Sequence, residues 1–424
     1  MRKLVLSIAI LIIALPVWCQ TNRIEFTDVS DPAREGVSPQ RLKLIDKTIE
    51  GYIKAGKIPG ASVFIMRNGK VVYYKAFGYS DAEKKTQLKK DDIFRIASQT
   101  KAITSLAAMM LYEEGKFLLD EPVSKYIPEF RNPKVLTSFN EKDSSYKTEP
   151  ARSEITIRHL LTHSSGLDYP AIGTPPFRAI YAKAGIPSGI GNNSEVLGEK
   201  MKQLGSLPLR HHPGETWTYG LSSDLLGYLI EIWSGMSLAD FFQKRIFEPL
   251  GMTDTYFYLP SDKHKRLVPL YSGSNNSLTK FEGKAYDGTD PDYPTLKGTY
   301  YSGGAGLSST VADYAKFLQM FVNKGELNGV RLLSRKTVEL ILTNQLTGDG
   351  TPEYGLAFGL ETPKNDHQSI ATVGSFQWGG AFSTHYWADP VEKLIGVLYT
   401  NVYETAAWDI GERFKILTYS TIVD

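Results

Sequence analysis

The sequence predicts a mixed α/β fold of the α+β type. An antiparallel sheet is built from the N- and C-terminal segments, flanked by helices, with a mostly helical lobe inserted between them. Three observations predict it. Early in the chain, two strand-like runs, Ala61–Arg67 and Lys70–Phe77, are joined by Asn68-Gly69. This is the strongest short-range hairpin signal, because both residues tolerate the positive φ of a type I′ turn. Late in the chain, Thr372–Ala388 and Lys393–Thr400 read as antiparallel strands around an Asp389-Pro390 turn. Between the two ends, apolar residues recur mainly at helical spacing.

Length and composition agree. The chain has 424 residues, 42% hydrophobic and 22% charged, enough for a large core in a single domain. The net charge of +2 argues against nucleic acid as a partner. The first residues read as a targeting segment. Arg2-Lys3 is a positive n-region, and Leu4–Val17 is an apolar stretch too short for a stable membrane span. Residues 1–19 are therefore expected to be a signal peptide, cleaved after Cys19, and the protein to be exported, periplasmic or secreted. Acylation of Cys19 is the second reading, because Trp18 is bulky where that processing needs a small residue. Cys19 is the only cysteine, so the mature chain forms no internal disulfide and its stability rests on its core. There is no zinc-type Cys/His spacing, His211-His212 reads as a polar turn, and no metal or cofactor is expected.

Taken in order, Ser38-Pro39 is an N-cap with proline at N1, and Leu42, Ile45, Ile49, Tyr52 and Ile53 follow at helical spacing. The hairpin comes next. Phe94–Glu114 (FRIASQTKAITSLAAMMLYEE) then carries Ile103, Leu106, Ala107, Met110 and Leu111 at i, i+3, i+4, i+7, i+8, the stripe of a buried helix, stopped by Gly115. Arg131–Glu154 is polar without a period and reads as an exposed loop. Ile155–Leu167 is a short helix, and Tyr169–Glu195 a long Gly/Pro/Asn-rich loop of the kind that walls a site. Ser222–Trp233 and Leu238–Ile246 are helical, the latter opened by Ser237. Ser302-Gly-Gly-Ala-Gly lacks the Lys-Ser/Thr ending of a phosphate-binding loop, so it reads as turns before a helix over Val311–Asn323. Leu332–Asn344 and Ala407–Tyr419 are further helices.

The chemistry centres on Ser98-Gln99-Thr100-Lys101. Positions three apart share a helix face, so the Ser98 hydroxyl and the Lys101 amine can meet. Serine is a poor nucleophile until a base takes its proton, and an amine does that where burial or the helix N-terminus favours its neutral form. His163 is an alternative base by residue type, but at a helix end it reads as a residue that positions a loop.

The motifs FRIASQTK, PVSKYIPEF, IRHLLTHSSGL, PGETWTYGLSSDLLGYLIE, FEPLGMTDTYF, GGAGLSSTVADYAKFLQM and FQWGGAFSTHYWADP, in this order, carry a resemblance. From about Ser38 to Tyr403 the chain resembles the serine β-lactamase-like superfamily, nearest the class C β-lactamase branch and its family VIII-type carboxylesterases. The resemblance implies a β-lactamase/transpeptidase-like fold over residues 20–424, with the helical lobe at roughly 100–300. It also implies that Ser98 is the acyl-accepting nucleophile and Lys101 its proton-transfer partner. Tyr219 matches the tyrosine of the Tyr-x-Asn motif. Trp378-Gly379-Gly380 stands at the Lys-Thr-Gly strand, and the oxyanion donors fall on the backbone amides of Ser98 and Ala381.

Two departures bear on substrate. Leu221 replaces the Asn of Tyr-x-Asn, and Trp378 replaces the lysine that meets a carboxylate. Losing both polar groups weakens discrimination in favour of amides and carboxylates. The expected substrate is a small acyl ester. A lactam or a D-amino-acid peptide, or a penicillin-binding role without turnover, are the competing readings.

Overall fold

The structure, a computed structural model, describes residues 23–424 apart from 192–193, 274–276, 285–288 and 349. The expected signal segment lies outside the described residues. The main sheet has seven strands, in the order Gly359–Leu360, Phe376–Gly380, Thr384–Asp389, Leu394–Tyr399, Gly60–Arg67, Lys70–Asp81 and Thr86–Gln87. Every neighbouring pair is antiparallel. The two ends of the chain meet in its middle, where Ser62 pairs with Tyr399 and Arg67 with Leu394. As the spacing predicts, Asn68 (φ 53°) and Gly69 (φ 73°) make the hairpin turn.

The two central strands are buried along their whole length, because both faces of the sheet are covered. That is why they read as apolar runs rather than an alternation. On one face, Val63, Ile65 and Leu398 pack with Ile45 and Ile49 of the helix Pro39–Lys54 and Phe414 of the helix Ile410–Tyr419. On the other, Phe64, Met66, Val397 and Tyr399 join Phe317 and the residues of the helical lobe in one continuous core.

Several sequence expectations are corrected. Arg131–Glu154 is not a loop but holds a hairpin, Lys134–Phe139 with Tyr146–Pro150. Both its faces are largely exposed, so backbone pairing holds it and no apolar alternation marks it. Tyr169–Glu195 contains a helix, Pro175–Lys183, anchored by buried Phe177, Ile180 and Tyr181. The helix expected over Leu238–Ile246 is α-helical only to Phe242 and then widens into a π turn, Gln243–Phe247. Leu332–Asn344 shortens to Arg335–Ile341, where the Ser334 side chain caps the Thr337 amide.

Candidate active site

The turn that carries Ser98 is fixed from both sides. The short strand Phe94–Arg95 pairs with Ser308–Ser309. The Arg95 guanidinium, wholly buried, donates to the carbonyls of Val268 (2.7 Å) and Pro291 (2.6 Å) and to Asn401 Oδ1 (3.0 Å). Ala97 then takes a left-handed conformation, φ 43°, rare for a residue with a Cβ and of a kind that clusters at functional sites. It starts a 3₁₀ turn, Ala97–Gln99, that runs into the helix Thr100–Glu113. Tyr314 Oη donates to the Gln99 carbonyl (2.9 Å) and Tyr399 Oη to Gln99 Oε1 (2.7 Å), tying this corner to the helix behind and the sheet beside it. Ser98 is the partly exposed member of the turn; its neighbours Ala97 and Gln99 are buried.

Lys101, only 2% exposed, lies 3.4 Å from Ser98 Oγ. It also donates to the Gly304 carbonyl (2.7 Å) and to Tyr169 Oη (2.9 Å). A neutral amine has two N–H bonds and one lone pair. In that form the Gly304 and Tyr169 contacts take the two N–H bonds and the lone pair faces Ser98 Oγ. Geometry thus orients the pair for proton transfer from Ser98.

Sequence reasoning passed over Tyr169, which supplies the hydroxyl that meets the lysine. Tyr219 meets Lys101 through its ring, with the ammonium position 4.6 Å from the centroid. Its oxygen faces the Trp378 indole N–H at 3.5 Å. Tyr219 is the hub of an aromatic cluster, with ring centroids 5.5 Å from Tyr169, 5.8 Å from Trp217, 5.8 Å from Trp378 and 5.1 Å from His163. The signal for Tyr169 was its place just past the Thr-His-Ser-Ser-Gly-Leu run, in a loop too irregular for periodicity to place.

His163 is buried and packs edge-on to Trp217 and Tyr354. Burial, then the nearby Lys101 charge, pushes its pKa down to about 3. It is a neutral packing residue against the Tyr219 ring, in keeping with the loop-positioning reading.

Ser98, Tyr219 and Ala381 line one small pocket of about 30 Å³, completed by Tyr169, Ala171, Ile172, Ser188, Ile190 and Ala305. Residues of both the helical lobe and the sheet contribute, so it lies at the lobe junction, where small-molecule sites tend to form. The strand Phe376–Gly380 packs on the Ala97–Gln99 turn. A Cβ at Gly380 would overlap the Ile96 carbonyl, so glycine lets the strand approach the nucleophile. Gly379 continues that strand opposite His385. A larger open cleft of about 810 Å³, lined in part by Phe247, Phe257, Tyr258 and Tyr301, lacks the Ser98–Lys101 pair.

One expected substrate contact is corrected. Leu221 has no exposed surface and belongs to the core beneath the pocket; it precedes the helix Ser222–Ser234, and its amide bonds the Asp168 carbonyl (3.3 Å). The apolar residue at this position fills core rather than contacting substrate. Trp378 remains beside Tyr219. The apolar pocket wall comes instead from Tyr169–Glu195, while Arg131–Glu154 contributes no lining residue.

Among the described residues, no group of three or more His, Cys, Asp or Glu side chains is placed to hold a metal ion, and no single helix is long and apolar enough to cross a membrane.

The chain is similar to known proteins over most of its length. Esterase EstB of Burkholderia gladioli is 29% identical, covering 84% of this chain and 89% of its own. A lovastatin esterase of Penicillium rubens is 36% identical over 67% of this chain and 69% of its own. The solved structure of EstCE1, a hydrolase with promiscuous acyltransferase activity, superposes with a TM-score of 0.78 at 25% identity, covering 89% of this chain and 98% of that one. The family model described as Beta-lactamase matches residues 45–418. A Ser98–Lys101 pair with its lysine buried, in a chain matched by the Beta-lactamase family model and whose relatives include esterases, makes this protein a serine hydrolase belonging to the beta-lactamase family.

Proposed function

We propose that the protein is an exported esterase that transfers small acyl groups from esters to water through a covalent Ser98 intermediate. The observation that carries this is the lysine geometry. Lys101 Nζ lies 3.4 Å from Ser98 Oγ, 2.9 Å from Tyr169 Oη and 2.7 Å from the Gly304 carbonyl, so that as a neutral amine it would place its two N–H bonds on the latter two and its lone pair toward Ser98. Ser98 Oγ attacks the ester carbonyl carbon as its proton passes to Lys101. The carbonyl electrons move onto oxygen, where the amides of Ser98 and Ala381 are the donors. Each such donor is worth roughly 3–4 kcal/mol of transition-state stabilisation. The tetrahedral intermediate collapses, the Lys101 ammonium protonates the departing alkoxide, and an acyl-enzyme remains. Water then attacks with its proton going to Lys101, and the acid leaves as Ser98 recovers that proton. Tyr219, with its ring on Lys101 and its oxygen at Trp378, modulates this transfer.

The pocket supports small acyl esters over lactams and D-peptides. Its lining is mostly apolar and its volume is about 30 Å³. The same lining favours a second reading, transfer of the acyl group to an alcohol, because it offers few groups to hold water. Export rests on Arg2-Lys3 and the apolar stretch Leu4–Val17; cell fractionation of a tagged chain tests it.

The test is turnover of p-nitrophenyl acetate and butyrate, a penicillin and a D-Ala-D-Ala peptide by the purified protein, with Ser98→Ala as control. Ester turnover that vanishes in Ser98→Ala, with a trapped mass increase of one acyl group in the native enzyme, is the expected result. Undiminished ester turnover in Ser98→Ala overturns it. Preferred turnover of penicillin or peptide replaces the substrate reading. A stable penicillin adduct without turnover of any of these replaces it with a binding role. Added alcohol raising p-nitrophenol release, with a new ester formed, identifies acyl transfer.

A further inference from the structure

The Gly-rich turn Ser302–Ala305, which resembles no phosphate cradle, supplies the Gly304 carbonyl to Lys101. Behind it sits Asp224, in the first turn of the helix Ser222–Ser234 and with no exposed surface. Asp224 Oδ1 accepts a hydrogen bond from Ser302 Oγ at 2.6 Å, and that hydroxyl in turn accepts from the Ala305 amide at 3.0 Å. Asp224 Oδ2 has no well-formed hydrogen bond among the described residues. A Cβ at Gly304 would overlap it, so the turn lies directly on the carboxylate. Thr104 holds the same turn from the nucleophile helix, donating to the Gly303 carbonyl at 2.7 Å.

We propose that Asp224 is a positioning residue for Lys101: through Ser302 it fixes the Gly304 carbonyl, and as a buried carboxylate it stabilises the ammonium that forms when Ser98 gives up its proton. The inference rests on the reading of Ser98 and Lys101 as nucleophile and base. The ionisable groups facing Lys101 are Ser98, Tyr169, Tyr219, His163 and Asp224; those facing Asp224 are Lys101 and Tyr300. Burial holds His163 neutral and pushes the Asp224 carboxyl up, while the Ser302 hydrogen bond and the Lys101 charge act the other way and favour the carboxylate, so Asp224 is the acid whose charge can oppose the lysine's. The helix N-terminus helps to hold that negative charge in the interior. Proton transfer creates a cation on a lysine only 2% exposed, and a fixed anion close by is worth more there than in solvent.

The test uses Asp224→Asn and Ser302→Ala, with Ser98→Ala alongside, each assayed for the pH dependence of kcat/KM on p-nitrophenyl butyrate and for thermal unfolding. Asp224→Asn removes the charge at nearly constant volume. It is expected to lower kcat by roughly 10²-fold, the lower end of what a positioned proton-transfer group contributes, with KM little changed. Without the anion, Lys101 loses its proton more readily, so the acidic limb of the profile moves to lower pH. Ser302→Ala keeps the carboxyl group but removes its hydroxyl donor and frees the turn, so kcat falls while the limb moves less than in Asp224→Asn. Wild-type kcat in Ser302→Ala overturns the proposal, and does so even where Asp224→Asn fails to fold. A folded Asp224→Asn variant with the limb unmoved also overturns it. Activity retained in Ser98→Ala defeats the underlying nucleophile reading; loss there with wild-type behaviour in Asp224→Asn defeats this inference alone.

Discussion

Lys101 donates a 2.9 Å hydrogen bond to Tyr169, a residue 68 positions further along the chain, while the tyrosine matching the family motif, Tyr219, lies under the same amine by its ring. Two tyrosines therefore share one base, one through oxygen and one through its π face. Once Lys101 has taken up the Ser98 proton, its cation near an aromatic face is attracted by about 0.5–2 kcal/mol depending on desolvation. A hydrogen bond to a charged group contributes about 1.5–3 kcal/mol.

Tyr169→Phe separates the two. It removes the lysine's hydroxyl partner and leaves the ring. We expect kcat to fall roughly 10–100-fold, matching the loss of one charge-assisted hydrogen bond. Tyr219→Leu removes the aromatic face as well as the oxygen. Stopped-flow measurement of acylation in both variants checks this. An unchanged acylation rate in Tyr169→Phe shows the contact to be idle.

Gly380→Ala drives a methyl group toward the Ile96 carbonyl and opens the gap between the strand and the nucleophile turn. Ala381 moves with the strand. The expected outcome is a loss of roughly 10²–10³ in kcat, the cost of removing one oxyanion donor. Thermal unfolding and kcat measured on the same sample distinguish this from general destabilisation.

Leu221→Asn restores the residue found in the Tyr-x-Asn motif, yet no lactam hydrolysis is expected, because Leu221 is buried in the core. An amide there without partners costs about 1–3 kcal/mol, on top of lost apolar burial. Denaturant unfolding is expected to show that loss. A gain of penicillin turnover in this variant would place the side chain at the substrate after all.

Ile190→Ala opens the apolar wall of the pocket. Longer acyl chains then gain burial at about 0.8 kcal/mol per methylene, roughly fourfold in kcat/KM for each carbon accommodated. A series from acetate to octanoate measures the shift toward longer chains.

Stability is expected to fall on acidification below neutral pH. Burial depresses His163 to about 3 and His385 to about 4, both below the ordinary value of 6.5. A histidine with a depressed folded-state pKa binds protons more readily when unfolded. Its stabilisation is complete above 6.5 and is lost as pH falls from there toward 3 for His163 and toward 4 for His385. Burial lowers His159 and His211 as well, and His163→Gln removes one of these contributions, so its unfolding free energy should slope less steeply over that range. Urea titrations at a series of pH values read the slope.

What was legible in the sequence was what neighbouring residues decide. Ser98 and Lys101 are three apart, so local helix geometry joins them wherever the helix goes. Asn68-Gly69 fixed its hairpin through the φ values those two residues accept, and Ser38 and Ser237 cap the helices they precede. The sheet from both chain ends followed from strand-like runs lying early and late in the chain, with helical spacing between them.

The tertiary structure alone decided which groups surround the lysine. Gly304 lies 203 residues from Lys101, and Tyr169 stands on a loop without a period. Nothing in the local spacing of either fixes where its oxygen points; the packing of the lobes does. Leu221 and Trp378 look equivalent as apolar replacements, yet one is sealed in the core and the other faces Tyr219. Hydrophobicity specifies that a side chain leaves water, but not whether it does so into the core or beside a ligand site. That choice is made by contacts between segments far apart in the chain.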